Sequence, residues 1–224
     1  MVWGLVSPGG FGDFYPDGDY VGWEEGIKKY FEEEMSPEQR AAYDNWAVKY
    51  QGEVARKFTE DRGPLEAHER PSEFRMTEAR KSLGSIIVLI DRLLAVDTPL
   101  KELIERLEPG VHQFWPLRMT MPKGKDYPVR YFGLVIRRFI DSFVPEQSAA
   151  RQVSEGSDIY FANGATKKDY GDLTVSNRVV AGAHLWRERR LLMPGIFFSD
   201  ELQAEMTRQG LRIPKHHQLK AIAP

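Results

Sequence analysis

The chain has 224 residues, of which 42% are hydrophobic, 29% charged and 12% aromatic, and its formal net charge is −2. Such a length and aromatic content suit a folded core in one large domain or two small ones and exclude a disordered polymer. The near-neutral balance argues against a nucleic-acid partner, since duplex-binding domains are usually basic, and the absence of cysteine excludes disulfides, thiolate zinc sites and cysteine nucleophiles.

The opening "MVWGLVSPGGFGDFYPDGDY" has no basic start and is broken early by Gly and Pro, so it does not read as a signal peptide. The longest apolar run, "IIVLI" from Ile86 to Ile90, is far short of the roughly 20 residues that span a bilayer. The expectation is a cytoplasmic protein with no membrane partner. Residues 1–20 read as an irregular arm with a short strand at "VWGLV", docked by Phe11, Phe14, Tyr15 and Tyr20.

A helical pattern follows. "GWEEGIKKYFEEEM" sets Trp23, Ile27, Tyr30 and Phe31 on one side. "SPEQRAAYDNWAVKYQGEVARKFTED" reads as a second continuous helix, with Ser36 as N-cap, Pro37 at the first position and Gln39 completing a capping box. Its apolar stripe is Tyr43, Trp46, Ala47, Tyr50, Val54 and Phe58. After the linker "RGPLEAHERPS", a third helix is predicted from Ser72 through Met76, Leu83, Ile86, Ile87, Ile90 and Leu94. "TPLKELIERL" is a short fourth, capped by Thr98 and stopped by "EPG".

Beyond residue 110 the period shortens. "VHQFWPLRM", "VRYFGLVIRRFIDSF", "DIYFA", "LTVSNRVVAG" and "HLWRERRLLMPGIFFS" read as strands, with "PKGKDYP" as a hairpin connection. "SDELQAEMTRQG" is a helix capped by Ser199 and closed by Gly210, and "HHQLKAI" is a final strand. The fold class is therefore α+β: an N-terminal helical portion, then a mainly antiparallel sheet portion with a C-terminal helix. The expected boundaries are 1–20 for the arm, 21–110 for the helical portion and 111–224 for the α+β domain, as separate units or one body.

Motifs of catalysis are missing. The five histidines, His68, His112, His184, His216 and His217, form no His-x-x-x-His pair, and His216 and His217 point to opposite faces of a strand. There is no nucleophile elbow, Walker loop or dinucleotide fingerprint. No catalytic residue, metal site or cofactor is expected. In "WRERRLL", a strand alternates Trp186, Glu188 and Arg190 with Arg187, Arg189 and Leu191. The arginines read as structural, because the nearest helix start carries Asp200 and Glu201, which repel anions. The run Glu32, Glu33, Glu34 is either a solvated helix face or an acidic patch that meets a basic partner.

The second half, about residues 112–222, resembles the immunity-protein-eleven family of bacterial polymorphic toxin systems. "FWPLRM", "YFGLVIRRFIDSFVPEQS", "VAGAHLWRE" and "IFFSDELQAEMTRQGL" carry the likeness in order. One departure is "RIPKHHQLKAI", where the family has a Gly and a Phe before its last strand. The resemblance implies a non-catalytic protein that binds a cognate toxin and blocks it, with Glu32, Glu33 and Glu34 as candidate partner-binding residues. The alternative is an enzyme with a site assembled from Asp141, Asp158, Asp172, His184 and Arg187. A homo-oligomer formed through the Trp and Tyr stripe is a further reading.

Overall fold

The computed structural model describes residues 1–162, 166–192 and 195–222. The helices among them are α1 (Trp23–Lys29), α2 (Pro37–Ala41), α3 (Ala47–Arg56), α4 (Thr98–Leu107), α5 (Lys167–Gly171) and α6 (Asp200–Arg208). The strands run β1 (Val2–Leu5), β2 (Gly18–Tyr20), β3 (Glu73–Met76), β4 (Ile86–Val88), β5 (Leu94–Asp97), β6 (Gln113–Met121), β7 (Lys125–Asp126) and β8 (Tyr131–Val135). They continue as β9 (Phe139–Ile140), β10 (Arg151–Gln152), β11 (Tyr160–Phe161), β12 (Thr174–Ser176), β13 (Leu185–Glu188), β14 (Ile196–Ser199), β15 (His216–Gln218) and β16 (Lys220–Ile222). The α+β class holds, and α6 is the C-terminal helix.

Two sheets organise the molecule. One is ordered β2-β3-β6-β8-β5-β4, with β7 added to β6; the other is ordered β15-β1-β14-β13-β9. Pairing is mostly antiparallel, with β3–β6, β9–β13 and β12–β16 parallel. The larger sheet spans residue 110, drawing β2 to β5 from before it and β6 to β8 from after it.

Side-chain alternation builds layers on both faces of this sheet. Leu93, Ala95, Leu117, Met119 and Val135 pack under a cap made by α1 and α3, against Trp23, Ile27, Phe31, Tyr50, Val54 and Phe58. Leu94, Val96 and Leu134 face the other way, toward α4, α6 and the second sheet. The second sheet is likewise covered on both sides: Leu185 and Phe198 face α4 and α6, while Trp186 and Phe197 join a third cluster with Tyr170 of α5 and Val175 of β12. At the β6–β8 pair the Trp115 indole lies on Gly133, where a Cβ would sit 2.3 Å from the ring.

Four expectations need correction. The predicted third helix is replaced by β3, β4 and β5. A strand buried on both faces is a continuous apolar run, which a helical stripe also fits; Ile86 and Ile87 are neighbours that go to opposite layers. The predicted second helix is two, α2 and α3, interrupted by Asp44 and Asn45 at φ 53° and 58°. The cap of α4 is Asp97, whose side chain accepts from the Leu100 N–H at 3.0 Å, and Thr98 is the first helical residue. "HHQLKAI" splits into β15 and β16 in different sheets. The capping box at Ser36 and Gln39 forms as expected, and so does the Ser199 cap of α6. The strand in the arm also forms, as β1, and lies between β14 and β15. The arm's aromatics divide: Tyr20 is buried and Phe11 is exposed.

Candidate partner-binding surface

The helical cap carries the sequence candidates, and a buried carboxylate, Glu69, ties its parts together. Glu69 accepts from Lys57 Nζ with both oxygens at 2.6 and 2.7 Å, and from the Glu66 N–H at 2.8 Å. The Trp23 indole N–H donates to the Glu69 carbonyl at 2.8 Å. One residue thus ties α1, α3 and the turn that follows them. The Tyr50 hydroxyl lies 2.7 Å from His68 Nε2 and 3.2 Å from Glu69 Oε1, and the His68 ring stacks on Tyr30 with centroids 3.5 Å apart.

The sequence candidates Glu32, Glu33 and Glu34 lie in a π-helical turn, Tyr30–Glu34, that continues α1. Phe31 is driven into the core, and the three acids are exposed. Lys28 and Lys29 stand 3.9 and 4.0 Å from Glu32 and Glu33 one turn back. Solvated pairs of this kind contribute roughly 0.3–0.5 kcal/mol, so they leave the carboxylates open to a partner. The Glu32 carbonyl accepts from Arg40 Nη1 at 2.9 Å, which joins this turn to α2.

Sequence reasoning missed the adjoining feature. Asp44 and Asn45 adopt left-handed backbone, a region that non-glycine residues enter at a cost and that Asp and Asn tolerate best. Their turn rotates the following residues outward, so Trp46 is 65% exposed and Val48 76% exposed. Leaving two such side chains in water forgoes about 1.5–3 kcal/mol each relative to full burial. Beside them lies an open groove of about 820 Å³ along α3, lined by Tyr43, Asp44, Lys49, Gly52, Glu53, Arg56, Lys57 and Arg62. Lys49 Nζ stands 5.5 Å over the Trp46 ring. Tyr43 also packs edge-on to Phe31 at 6.3 Å, so groove and acidic turn belong to one cap. The signal available in the sequence was "YDNW", where Asp-Asn interrupts an apolar stripe.

The rest of the stripe is internal: Tyr50, Val54 and Phe58 are buried against the sheet. The other cavity of note, about 20 Å³ and lined by Leu5, Leu100, Phe198 and Met206 among others, is wholly apolar. It is too small for anything beyond a single water, and an apolar void stays dry.

The "WRERRLL" strip is structural. Both faces of β13 are covered, so Leu185, Trp186, Arg187 and Glu188 are all buried and the predicted alternation stops at Glu188. Glu188 Oε2 accepts from the Ser142 N–H at 2.8 Å, the Ser142 hydroxyl at 2.6 Å and the Phe143 N–H at 3.0 Å. Burial pushes its pKa up and outweighs those hydrogen bonds, which act to lower it. Arg187 Nη2 donates to the Phe58 carbonyl at 3.4 Å. Arg189 meets Asp61 at 2.9 Å and Asp141 at 3.4 Å, and Arg190 meets Asp158 at 3.6 Å.

A second buried carboxylate, Glu108 at the end of α4, reaches the other end of β13. It accepts from the His184 N–H at 2.9 Å, the Leu185 N–H at 3.0 Å and His112 Nε2 at 2.6 Å. His112 Nδ1 accepts from the Arg137 N–H, which places the imidazole proton on Nε2. Arg138 Nε lies 3.0 Å away, off the hydrogen-bonding direction, and contributes charge. Burial pushes Glu108 up, but His112, the His184 N–H and Arg138 together hold it below the usual carboxylate value.

The scattered candidates Asp141, Asp158, Asp172, His184 and Arg187 have separate surroundings. Asp141 and Asp158 pair with surface arginines, Asp172 is exposed, His184 bonds Ser199 at 3.0 Å, and neither cavity is lined by any of them. His216 and His217 face opposite sides of β15, beside Trp3 and Tyr170 respectively. Among the described residues no group of three His, Asp or Glu is placed to hold a metal ion, and no helix is long and apolar enough to cross a membrane.

The family model described as Immunity protein family (Imm11) matches residues 22–219. The chain belongs to that family. Its match extends well beyond the 112–222 likeness read from the sequence and takes in the entire helical cap of this immunity protein, with α1, the acidic turn and the groove. No curated protein matches the chain.

Proposed function

We propose that this immunity protein works in the cytoplasm by binding a cognate toxin and covering the surface the toxin needs, with no bond-making chemistry of its own. Membership of the Immunity protein family (Imm11) across residues 22–219 carries the reading. The cap supports it: exposed acids, an exposed tryptophan and a groove sit together on a braced base, and interface hot spots are rich in aromatic and arginine side chains. Glu32, Glu33 and Glu34 supply a negative field that steers a basic toxin surface, such as a nuclease cleft, onto the cap.

The test is co-expression with the product of the adjacent gene. The expected result is rescue of growth and co-purification of a stable heterodimer. Toxicity that is unchanged by this protein, with no complex formed, rejects the proposal.

A further inference from the structure

We infer that the open edge of β15 takes up an acidic, extended segment of the toxin as an added strand, with Lys167, Lys168, Lys215 and Lys220 meeting its carboxylates. The inference rests on the toxin-binding reading above and gives that reading a second contact, outside the cap and opposite in charge to the acidic turn.

The backbone supplies the first observation. Among the described residues β15 is the outermost strand of its sheet, with β1 on one side and no strand on the other. The segment follows β1 in register from Lys215, whose carbonyl accepts from the Val6 N–H at 2.8 Å, to Leu219, whose N–H donates to the Val2 carbonyl at 2.9 Å. In an antiparallel pair the bonding residues alternate. Lys215, His217 and Leu219 therefore bond toward β1, while His216 and Gln218 turn their N–H and C=O groups outward. Among the described residues no hydrogen bond from elsewhere in the chain reaches those outward groups. An unpaired row of this kind is a template for another strand.

The second observation is charge. Lys215 immediately precedes β15 and Lys220 opens β16. Lys167 and Lys168 open α5, whose Tyr170 ring lies on Gly4 of β1 and beside His217 of β15. All four lysines are exposed, and among the described residues no ion pair ties any of them to a carboxylate. The cap groove differs, because its Lys49, Arg56, Lys57 and Arg62 are each paired with an acid. Burial, then Lys215, His216 and Lys167, lowers the pKa of His217, so the charges gathered there are cations. The nearby acids are turned to other work or stand apart. Asp169 accepts from the Thr166 N–H at 2.9 Å in the α5 capping box, Asp200 accepts from the Trp3 indole at 3.0 Å, and Asp172 is exposed at the opposite end of α5 from Lys167.

Together the two observations select the occupant. A second copy of this edge is repelled, because two β15 strands paired antiparallel set the Lys215 and Lys220 charges of one chain against those of the other. A nucleic acid brings negative charge but no row of N–H and C=O groups to complete the ladder. An extended segment carrying Asp or Glu satisfies both the backbone and the lysines, and a neutral or basic segment satisfies the backbone alone.

The experiment uses the full chain and the catalytically inactivated toxin domain encoded by the adjacent gene, with affinity read by calorimetry and amide protection by hydrogen exchange. Gln218→Pro deletes one outward N–H and leaves the β1 ladder intact, because residue 218 does not bond to β1. Gln218→Ala keeps that N–H and is the control, and Lys215→Glu with Lys220→Glu reverses the charge. Thermal melts check that each variant folds. Affinity is expected to fall about 10- to 100-fold for Gln218→Pro and for the charge reversal, and to stay within about twofold for Gln218→Ala. In the wild-type complex the His216 and Gln218 amides should exchange at least about 10-fold more slowly than in the free protein. Wild type that binds with both amides unprotected adds no strand, and the inference falls. It falls equally if Gln218→Pro binds like wild type, or if charge reversal tightens binding and so marks a basic occupant. Protection that appears in the immunity protein alone as its concentration rises identifies a second copy and also overturns it. If wild type does not bind the toxin domain at all, the toxin-binding reading fails first and takes this contact with it.

Discussion

Glu108, at the end of α4, and Glu188, at the end of β13, are out of reach of water, whereas Glu32, Glu33 and Glu34 stand out from the cap into it. The buried pair spend their acceptor capacity on backbone N–H groups, Ser142 and His112, joining α4, β13 and the segment after β9. Of the exposed three, Glu32 and Glu33 have lysines at the edge of ion-pair distance. One residue type therefore does two jobs. Enclosed, it specifies which segments meet; solvated, it stays available to another molecule. The buried pair also differ from each other. Glu108 has His112 and Arg138 beside it and is held below its ordinary pKa, while Glu188 has backbone and hydroxyl donors and burial holds it above.

The contrast predicts a graded series. Glu108→Ala removes the partner of two backbone N–H groups and His112 and leaves Arg138 without its nearest acid. The expected loss is about 3–5 kcal/mol in guanidinium denaturation. Glu188→Ala orphans the N–H groups of Ser142, Phe143 and Arg190, and about 2–3 kcal/mol is expected from the same measurement. A loss under about 1 kcal/mol for either would dissolve the distinction between enclosed and solvated acids.

Acidity separates the two enclosed residues. The stabilisation from Glu108 is complete above the unfolded carboxylate pKa of about 4.3 and is lost as pH falls through its lower folded value. That from Glu188 is complete below about 4.3 and is lost as pH rises through its raised folded value. Melting wild type, Glu108→Gln and Glu188→Gln from acid to neutral pH should therefore give stability differences of opposite slope. Parallel slopes would mean that the cations beside Glu108 are not what sets the two apart.

Changes on the cap are expected to be small in stability. Trp46→Ala should move unfolding free energy by no more than about 0.5 kcal/mol, since the side chain is 65% exposed. Replacing Glu32, Glu33 and Glu34 with Gln should leave stability unchanged while slowing toxin association about 10-fold at low ionic strength, the gap closing as salt is added. A stopped-flow salt series reads both rates. A rate unaffected at low salt removes the steering role.

Much of the architecture was legible in local pattern. The Ser36 and Ser199 caps, the core-facing stripe of Trp23, Ile27 and Phe31 and the β6–β8 pair all follow from spacing and residue type. The third helix was not, because Ile86 to Ile90 is apolar without a break and helix and doubly covered strand share that signature. Trp46 falls on the predicted apolar stripe because a 3.6-residue period carries through "YDNW", and the turn at Asp44 and Asn45 sets it in water instead. Among the candidate site residues, Glu32, Glu33 and Glu34 were visible as a run of acids, whereas the groove was not, because its lining comes from the turn at Tyr43 and Asp44, from α3 and from Arg62 beyond it.

Local chemistry thus decided where helices begin, which faces are apolar and that no metal-binding or nucleophilic motif is written into the chain. Those properties depend on neighbours a few residues away. Tertiary structure alone decided that β1 sits between strands from the far end of the chain, that Glu108 and Glu188 are enclosed while the cap acids are solvated, and that Trp46 faces water. Burial is a property of what packs on a residue from elsewhere in the chain, and no local spacing encodes it.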